Sequence, residues 1–299
     1  MKPHKYLLAL IFALSLVLSA CSTEPVAAAP ADAPSILVEA PDIGLVTVTF
    51  IDVGQGDSTL IQTENAAMLI DGGVRTAYPK ISEILRREGI SRLDYVIATH
   101  PHADHIGGLV PLIDSDNGIG IGTVIMPNLV HTTRTYENFL AALIDNQIDV
   151  QEPYPGKTLE LDSAVFTIIA PNSSGYGNLN NYSIVMIMDH GDSSFLFAAD
   201  AESDSEREIL ENFEDISADV LRVGHHGSRT STSEEFLDAI SPRYAVISAG
   251  ADNQYGHPHH EVLDRLNRRG VYTLRTCERG NIEMVSGADG IRISWERTY

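Results

Sequence analysis

Short runs of apolar, often β-branched residues are separated by polar turns along most of the chain from residue 46 onward. The first runs, VTVTFI, TLIQT and AMLI, are broken by Gly, Asp and Asn, a pattern typical of strands joined by tight turns. Later runs alternate with stretches in which apolar residues recur every three or four positions, as they do in helices. We expect strands at 46–51, 58–62, 67–70, 95–98, 123–126, 164–169, 182–188, 194–199, 219–223, 244–248, 271–274, 281–285 and 291–295, and helices at 78–88, 133–146, 203–212, 233–240 and 259–269.

The order of these elements predicts an α/β protein. Strands stand alone at the start and then alternate with helices, which favours sheets covered by helices. The chain has 299 residues with 43% hydrophobic content, enough for the core of one large domain or two small ones. His, Asp and Gly residues collect at the predicted strand ends, where a rigid sheet can hold side chains that converge on a common site.

The N-terminus has the pattern of a secretory signal peptide, in which Lys2 and Lys5 precede an apolar run. The run leads into LSAC at 18–21, which resembles the lipobox of bacterial lipoproteins, where cleavage frees the Cys to receive lipid. An ordinary signal peptide and an uncleaved membrane helix are the alternatives, although the run is short for a span of about 20 residues. We predict a signal peptide over 1–20, an Ala/Pro-rich tether over 21–44, a folded domain over 45–299, and an extracytoplasmic location with membrane attachment through lipidated Cys21.

The charge balance limits the classes of partner. Lys and Arg total 20 against 41 Asp and Glu, a net charge of −21, so the chain repels other polyanions unless its site is locally positive. This charge argues against a protein that coats nucleic acid non-specifically but does not exclude a nuclease, because bound divalent metals can supply positive charge. Cys277 would be the thiol left in the folded domain if Cys21 is acylated, and TCERG offers it no neighbouring base, so we expect it to be structural.

The stretch THPHADHIGG places three histidines and an aspartate within six positions after an apolar strand. His100 and His102 are two apart, so an extended backbone can point both to one side. With Asp104 and His105 they make four ligands too close together to bind one tetrahedral ion without strain. A lone His at a strand end is more often a surface or core residue, but this cluster favours a centre with two metals.

Two later stretches add candidate ligands. Asp200 follows the apolar run FLFAA, and its alternative role is that of an acid at a helix N-terminus. HHGS contains His225 and His226, and adjacent residues on a strand face opposite ways. We therefore expect one of the two to reach a metal and favour His226, with His225 hydrogen-bonded nearby or facing substrate.

The spacing H-x-H-x-D-H resembles the signature of the metallo-β-lactamase superfamily. FIDVGQGDS, LIDGG, NNYSIVM, FLFAADAE, VLRVGHHGS and YGHPH also match in order, from about Val46 to about Arg279, and are similar to ComEC-like competence hydrolase domains and to related phosphorylcholine esterases. The resemblance implies an αββα metallo-β-lactamase-like four-layer sandwich with a di-metal site at one edge of two sheets. It also implies these ligands: His100 and His102 for the first metal, Asp104 and His105 for the second, and Asp200 bridging both. His226, favoured above over His225, would join the second metal.

One departure from the superfamily pattern concerns the first metal. Many members supply a third histidine between the H-x-H-x-D-H motif and the bridging aspartate, and here that region reads LNNYSIV. Asn181 occupies the expected position, as in the ComEC-like branch, and a neutral amide oxygen is a weaker and harder ligand than imidazole. The predicted cofactors are therefore two divalent ions, with manganese as acceptable as zinc.

A bridging hydroxide between the two ions is the nucleophile that the resemblance implies. Asp104 or Asp200 would orient it, and His225 or His257 would protonate the departing group. His257 lies in YGHPHH, where the alternative is a solvated loop histidine. The candidate catalytic residues are thus Asp104, His225 and His257.

Three functions are compatible with these residues. The first is a metal-dependent phosphodiesterase or nuclease acting outside the cytoplasm on a phosphodiester substrate, including DNA. The second is an envelope hydrolase resembling phosphorylcholine esterases. The third is a non-catalytic metal-binding lipoprotein, which the presence of both Asp104 and Asp200 disfavours, because binding alone does not require an open bridged pair.

Overall fold

The computed structural model describes residues 43–115 and 118–297, whose strands form two sheets. In chain order the strands are β1 (Val46–Phe50), β2 (Thr59–Gln62), β3 (Ala67–Ile70), β4 (Arg92–Ile97), β5 (Gly120–Ile125), β6 (Asp149–Gln151), β7 (Thr158–Leu161), β8 (Ala164–Ala170), β9 (Val185–His190), β10 (Ser193–Phe197), β11 (Val220–Arg222), β12 (Tyr244–Ile247), β13 (Tyr272–Arg275), β14 (Ile282–Gly287) and β15 (Gly290–Trp295). The first sheet runs β15-β14-β1-β2-β3-β4-β5-β6, and the second runs β13-β12-β11-β10-β9-β8-β7.

The two sheets pack face to face, and helices cover their outer surfaces. Phe50 of β1 meets Phe197 of β10 in the core between the sheets, with ring centroids 6.4 Å apart. Phe139 belongs to the core under the first sheet, and Phe236 to the core under the second. The αββα sandwich expected from the resemblance is confirmed. Its helices are α1 (Tyr78–Arg87), α2 (Ala103–Ile106), α3 (Leu109–Asp114), α4 (Arg134–Asp145), α5 (Ser203–Asn212), α6 (Glu234–Ile240), α7 (His260–Arg268) and α8 (Thr276–Arg279).

Strand β3 shows why the sequence contains unbroken apolar runs. Successive side chains of a strand point to opposite faces. Met68 and Ile70 face the core between the sheets, whereas Ala67 and Leu69 face the helices. Because both faces are buried, the run AMLI has no polar alternation.

Several short elements were not predicted. Helix α3 carries Pro111 at its third position, which a first helical turn tolerates, but the Pro obscures the helical pattern. Strand β6 is exposed along its whole length and so has no apolar periodicity. Strand β7 and helix α8 have four residues each, too few to show a period. The strand predicted from residue 182 begins at Val185, because residues 179–182 form a 3-10 turn.

The predictions for the N-terminal region fall almost entirely on residues that the structure does not describe. The signal peptide over 1–20, Cys21 and the tether up to residue 42 lie outside the described ranges. Within those ranges, no helix combines the length and apolar character needed to cross a bilayer. Cys277 is partly buried in α8, and burial raises the pKa of its thiol.

The topology brings four polar segments to one edge of the sandwich. Strands β3 and β4 are parallel, and Asp71 and the segment 99–108 follow their carboxyl ends. Strands β10 and β11 are also parallel, and Asp200 and the pair at 225–226 follow theirs. Carboxyl ends of neighbouring parallel strands lie at the same edge of a sheet, so distant sequence positions meet there.

Gly108 permits the close approach of two of these segments. A Cβ atom at this position would lie 2.0 Å from the carbonyl oxygen of Gly72, whose N–H donates to the carbonyl of His105. We predict that Gly108→Ala lowers the free energy of unfolding by about 1–3 kcal/mol, because a backbone oxygen cannot move aside alone. Urea unfolding measures the change.

Gly175 provides the matched control, since a Cβ there would have no neighbour within 4 Å. Gly175→Ala should change the free energy of unfolding by no more than about 0.5 kcal/mol. Equal unfolding curves for the two variants would show that the contact between Gly108 and Gly72 does not constrain the fold.

Candidate metal centre

One oxygen of Asp200 lies at the middle of a group of histidines. Asp200 is 2% exposed, and its Oδ2 is 3.2 Å from His105 Nε2 and 3.5 Å from His226 Nε2. The same oxygen is 3.7 Å from His225 Nε2 and 3.8 Å from His100 Nε2. These five residues are called the Asp200 cluster below.

The H-x-H-x-D-H segment contributes its four predicted residues to the same edge. His102 precedes α2, and its Nδ1 lies 3.0 Å from His100 Nε2. Asp104 is in the first turn of α2, and its Oδ2 lies 3.4 Å from His226 Nε2. The structure therefore brings all six predicted metal ligands together at one site.

Hydrogen bonds on the far side of two imidazoles aim their Nε2 atoms at the cluster. His105 Nδ1 lies 2.6 Å from Asp71 Oδ2, and Asp71 also accepts hydrogen bonds from the N–H and hydroxyl of Thr99. His226 Nδ1 donates to the carbonyl of Ser248 at 2.9 Å, because a carbonyl can only accept. With Nδ1 protonated, Nε2 is left free to bind a metal.

The cluster has the properties of a site for divalent metal. His105 Nε2, His226 Nε2 and Asp200 Oδ1 are buried without any hydrogen-bond partner, which is costly for polar atoms unless something else satisfies them. Two ligands of one tetrahedral ion with bonds of ~2.1 Å lie ~3.4 Å apart, close to the separations around Asp200 Oδ2. Among the described residues, closely spaced ligand atoms form three groups, and two of them border this cluster: His100, His105 and Asp200, and Asp104, His105 and His226.

The position of His102 differs slightly from that of the other ligands. Among the described residues, it joins neither of these groups, although its ring is 4.7 Å from that of His100. A third group of Asp57, Asp71 and His105 lies on the far side of His105. There the ring nitrogen already has Asp71 as partner, so this third group is a weaker candidate for a metal.

Charge interactions in the cluster shift several pKa values strongly. Burial alone would lower the pKa of His226, but the Asp200 charge and close contacts with the carboxylates of Asp104 and Asp200 raise it to about 9. Burial would likewise lower the pKa of His105, yet Asp200 and Asp71 raise it well above its ordinary value. Burial would raise the pKa of Asp200, but His105 and His226 hold it well below its usual range. Asp200 is therefore ionised and attracts cations, whether protons or metal ions.

A buried arginine next to the cluster was not anticipated from the sequence. Arg222 is 1% exposed, and its Nε lies 2.8 Å from Asp57 Oδ2. Its Nη1 donates to the carbonyls of Ala199 and Val223 and lies 3.9 Å from Asp200 Oδ1. The guanidinium thus fixes the turn that carries Asp200 and adds positive charge behind it. The available signal was an Arg inside the apolar run VLRV.

The expectation that His225 and His226 face opposite ways is wrong. They are not on a strand but in the turn Gly224–Gly227, with φ of 46° and 54°, in the left-handed region. Both Nε2 atoms therefore face Asp200. His225 Nδ1 lies 3.0 Å from Glu202 Oε1, a contact that no local sequence pattern predicts.

Asn181 does not take the position expected for the missing histidine. Its Oδ1 accepts hydrogen bonds from the N–H groups of Glu202 and Ser205 at the start of α5, so the amide oxygen caps a helix. Asn180 is instead the asparagine with a buried, unpartnered oxygen, and its Nδ2 donates to Glu202 at 2.8 Å. Asn180 Nδ2 also lies 3.4 Å from His225 Nδ1, so Asn180 borders the cluster while the oxygen of Asn181 is used by the helix.

His257 lies at the rim of the site. Its ring centroid is 5.4 Å from that of His225 and 6.2 Å from that of His226. Burial, together with the neighbouring His225, lowers the pKa of His257 to about 4. It is therefore neutral at neutral pH and suited to hydrogen bonding with substrate rather than to carrying a charge.

Comparison with known proteins agrees with this geometry. Residues 51–251 match the model of the metallo-beta-lactamase superfamily. ComE operon protein 3 of Bacillus subtilis is 33% identical over 254 residues, covering 79% of this chain and 32% of that protein. Recombination protein 2 of Haemophilus influenzae is 31% identical, covering 84% of this chain and 30% of that protein, and competence protein ComA of Neisseria gonorrhoeae is 30% identical, covering 84% and 34%. These are ComEC-like competence proteins, of whose length this chain spans about a third.

Solved structures with the same fold are more distant in sequence. The metallo-beta-lactamase fold protein YhfI of Bacillus subtilis has a TM-score of 0.53 at 14% identity, covering 77% of this chain and 95% of that one. CmlA, a diiron beta-hydroxylase from Streptomyces venezuelae, has a TM-score of 0.53 at 16% identity, covering 84% and 54%. At these identities the likeness extends to the fold alone.

The raised pKa of His226 predicts how the stability of the metal-free protein depends on pH. An imidazole with a pKa of about 9 in the fold and about 6.5 when unfolded stabilises the fold fully below pH 6.5, and this contribution is lost as pH rises to about 9. With metal removed by a chelator, the thermal midpoint should fall between pH 6.5 and 9.5.

His226→Gln separates this effect from general charge repulsion in an acidic chain. The variant should show a shallower fall of the midpoint over the same pH range, because Gln does not titrate. Parallel pH profiles for the wild type and this variant would mean that His226 is not held protonated by Asp200.

Proposed function

Because this chain belongs to the metallo-β-lactamase superfamily, we propose that it is a metal-dependent phosphodiesterase that cleaves nucleic acid outside the cytoplasm. The observation that carries the proposal is the Asp200 cluster, in which buried Nε2 atoms of His105 and His226 face an ionised carboxylate without hydrogen-bond partners. Such a site has the donors that divalent metal hydrolases use.

The residues around Asp200 would hold two divalent ions, zinc or manganese. His100 and His102 would hold one ion, Asp104, His105 and His226 the other, and Asp200 both. Ions bound there would activate a water molecule and stabilise negative charge on the phosphate oxygens. The short distances from Asp200 Oδ2 to both sets of histidines support a shared carboxylate.

The protein residues around the ions would bind and orient the substrate. His225 is 22% exposed and is held by Glu202 through Nδ1, so part of its ring is open to solvent, and its Nε2, 3.7 Å from Asp200 Oδ2, would pass a proton to the departing oxygen. His257, neutral at neutral pH, can hydrogen-bond a phosphate oxygen at the rim. Arg222 keeps Asp200 in place from behind.

Nucleic acid is proposed as the substrate because the relatives are named for competence and recombination. The location is proposed from the signal pattern and LSAC at 18–21, with Cys21 as the lipid attachment point. An envelope phosphorylcholine esterase is the second candidate, favoured by the exposed aromatic ring of Tyr255 at the rim, since aromatic faces bind quaternary ammonium groups.

Asp104→Ala should lower turnover of a phosphodiester by about 100-fold or more, because it removes a metal ligand and the partner of His226. The matched control is Asp204→Ala, since Asp204 is exposed on α5. Steady-state kinetics with metal, and circular dichroism to check folding, measure the effect. Undiminished turnover in the folded Asp104 variant would show that the metal centre takes no part in the reaction.

Substrate class is tested with the chain lacking residues 1–44, in manganese and in zinc. We expect cleavage of single-stranded DNA, abolished by a chelator and restored by one of the two ions. Release of choline phosphate from p-nitrophenyl phosphorylcholine without cleavage of DNA would instead support the envelope esterase. Metal bound at the site with no turnover of either substrate would support a binding protein.

A further inference from the structure

An exposed aromatic ring lies beside the proposed catalytic centre and has no role in the metal site. Tyr255 is 55% exposed, and one face of its ring stacks on His257 with centroids 5.6 Å apart and planes 23° apart. His257 in turn stacks on His226, with centroids 6.2 Å apart at 29°. The ring of His257 thus lies between Tyr255 and the proposed metal ligand His226, and Tyr255 is on the solvent side.

The loop that carries Tyr255 is held in one conformation. Asn253 Oδ1 accepts hydrogen bonds from the N–H groups of Tyr255 and His257, and its Nδ2 donates to the carbonyls of Gly250 and His257. The N–H of Gly250 donates to Gln55 Oε1 in the turn between β1 and β2. The ring is therefore positioned before substrate binds, which reduces the entropy lost on binding.

Two kinds of chemical group bind the exposed face of such a ring: a quaternary ammonium and a nucleobase. A quaternary ammonium is bound by several rings that enclose it, whereas a nucleobase needs one flat, accessible face. Among the described residues, the ring contacts of Tyr255 consist of His257 alone, so Tyr255 forms a flat platform and not a cage.

We propose that Tyr255 stacks a nucleobase of single-stranded nucleic acid next to the phosphodiester being cleaved, which makes it a specificity-determining residue. This rests on the proposed function, since it assumes that the substrate is nucleic acid. Base-to-aromatic stacking is tolerant of sequence because every base has a π-face. The site should therefore distinguish substrates with bases from those without, and not one base from another.

The test compares a single-stranded oligonucleotide with one of the same length that has abasic residues throughout. Wild type should favour the normal strand in kcat/KM by about 5- to 150-fold, the worth of one stacked base. Tyr255→Ala should lose this preference, mainly through KM, and Tyr255→Phe should keep it because Phe retains the stacking face.

Tyr272→Ala is the matched control, because Tyr272 is also an exposed tyrosine, with 50% of its surface accessible. It lies at the start of β13, and that end of the strand is the one away from the site. It should keep the wild-type preference. Cleavage by Tyr255→Ala with an undiminished preference would overturn the stacking proposal while leaving the phosphodiesterase intact.

Binding provides a readout that does not depend on turnover. In the Asp104→Ala background, fluorescence anisotropy with the normal oligonucleotide should show about 5- to 150-fold weaker binding when Tyr255→Ala is added. If wild type binds the strand through Tyr255 but cleaves no diester, the proposed function fails and the stacking stands. Hydrolysis of p-nitrophenyl phosphorylcholine that needs Tyr255, without base-dependent binding, would overturn the nucleobase assignment.

Discussion

The attraction between one buried carboxylate and the imidazoles around it governs the organisation of this site. An ionised Asp200 in a nearly water-free position is very costly unless cations surround it. Four histidines face its Oδ2 within 3.8 Å, and Arg222 lies behind it. Protons on His105 and His226 can satisfy this charge when metal is absent, and divalent ions can satisfy it when they replace those protons.

The rest of the sandwich positions these opposed charges. Two pairs of parallel strands end at the same edge, and each delivers a segment whose backbone is then fixed by contacts outside the cluster. Asp71 and Thr99 orient His105, and the carbonyl of Ser248 orients His226. Because these supports rest on the buried sheet, the ligands need little rearrangement to receive an ion, which favours both affinity and catalysis.

The sequence revealed the features that depend on local spacing. H-x-H-x-D-H is compact enough to be recognised without a structure, and Asp200 was recognisable because it follows a buried strand. The contacts of Arg222 with Asp57 and of His225 with Glu202 join segments far apart in the chain, so no local pattern could predict them. The left-handed backbone at His225 and His226 was missed because residues other than glycine seldom adopt it, and strand periodicity was the wrong rule there.

Because the chain has a net charge of −21, it repels the proposed polyanionic substrate unless the site provides local positive charge. The exposed Arg229 near the rim is paired with Glu261 at 3.1 Å, so it supplies little free positive charge. For the proposed substrate, attraction for phosphate would then come from divalent ions held around Asp200, which would act at short range in a partly buried place. Contacts that do not depend on charge gain importance under these conditions. A neutral His257 and a stacked Tyr255 can bind phosphate oxygen and base without increasing the repulsion. The acidic surface and the aromatic rim are therefore compatible with the proposed function, since the first would limit non-specific binding and the second would retain strands that reach the centre.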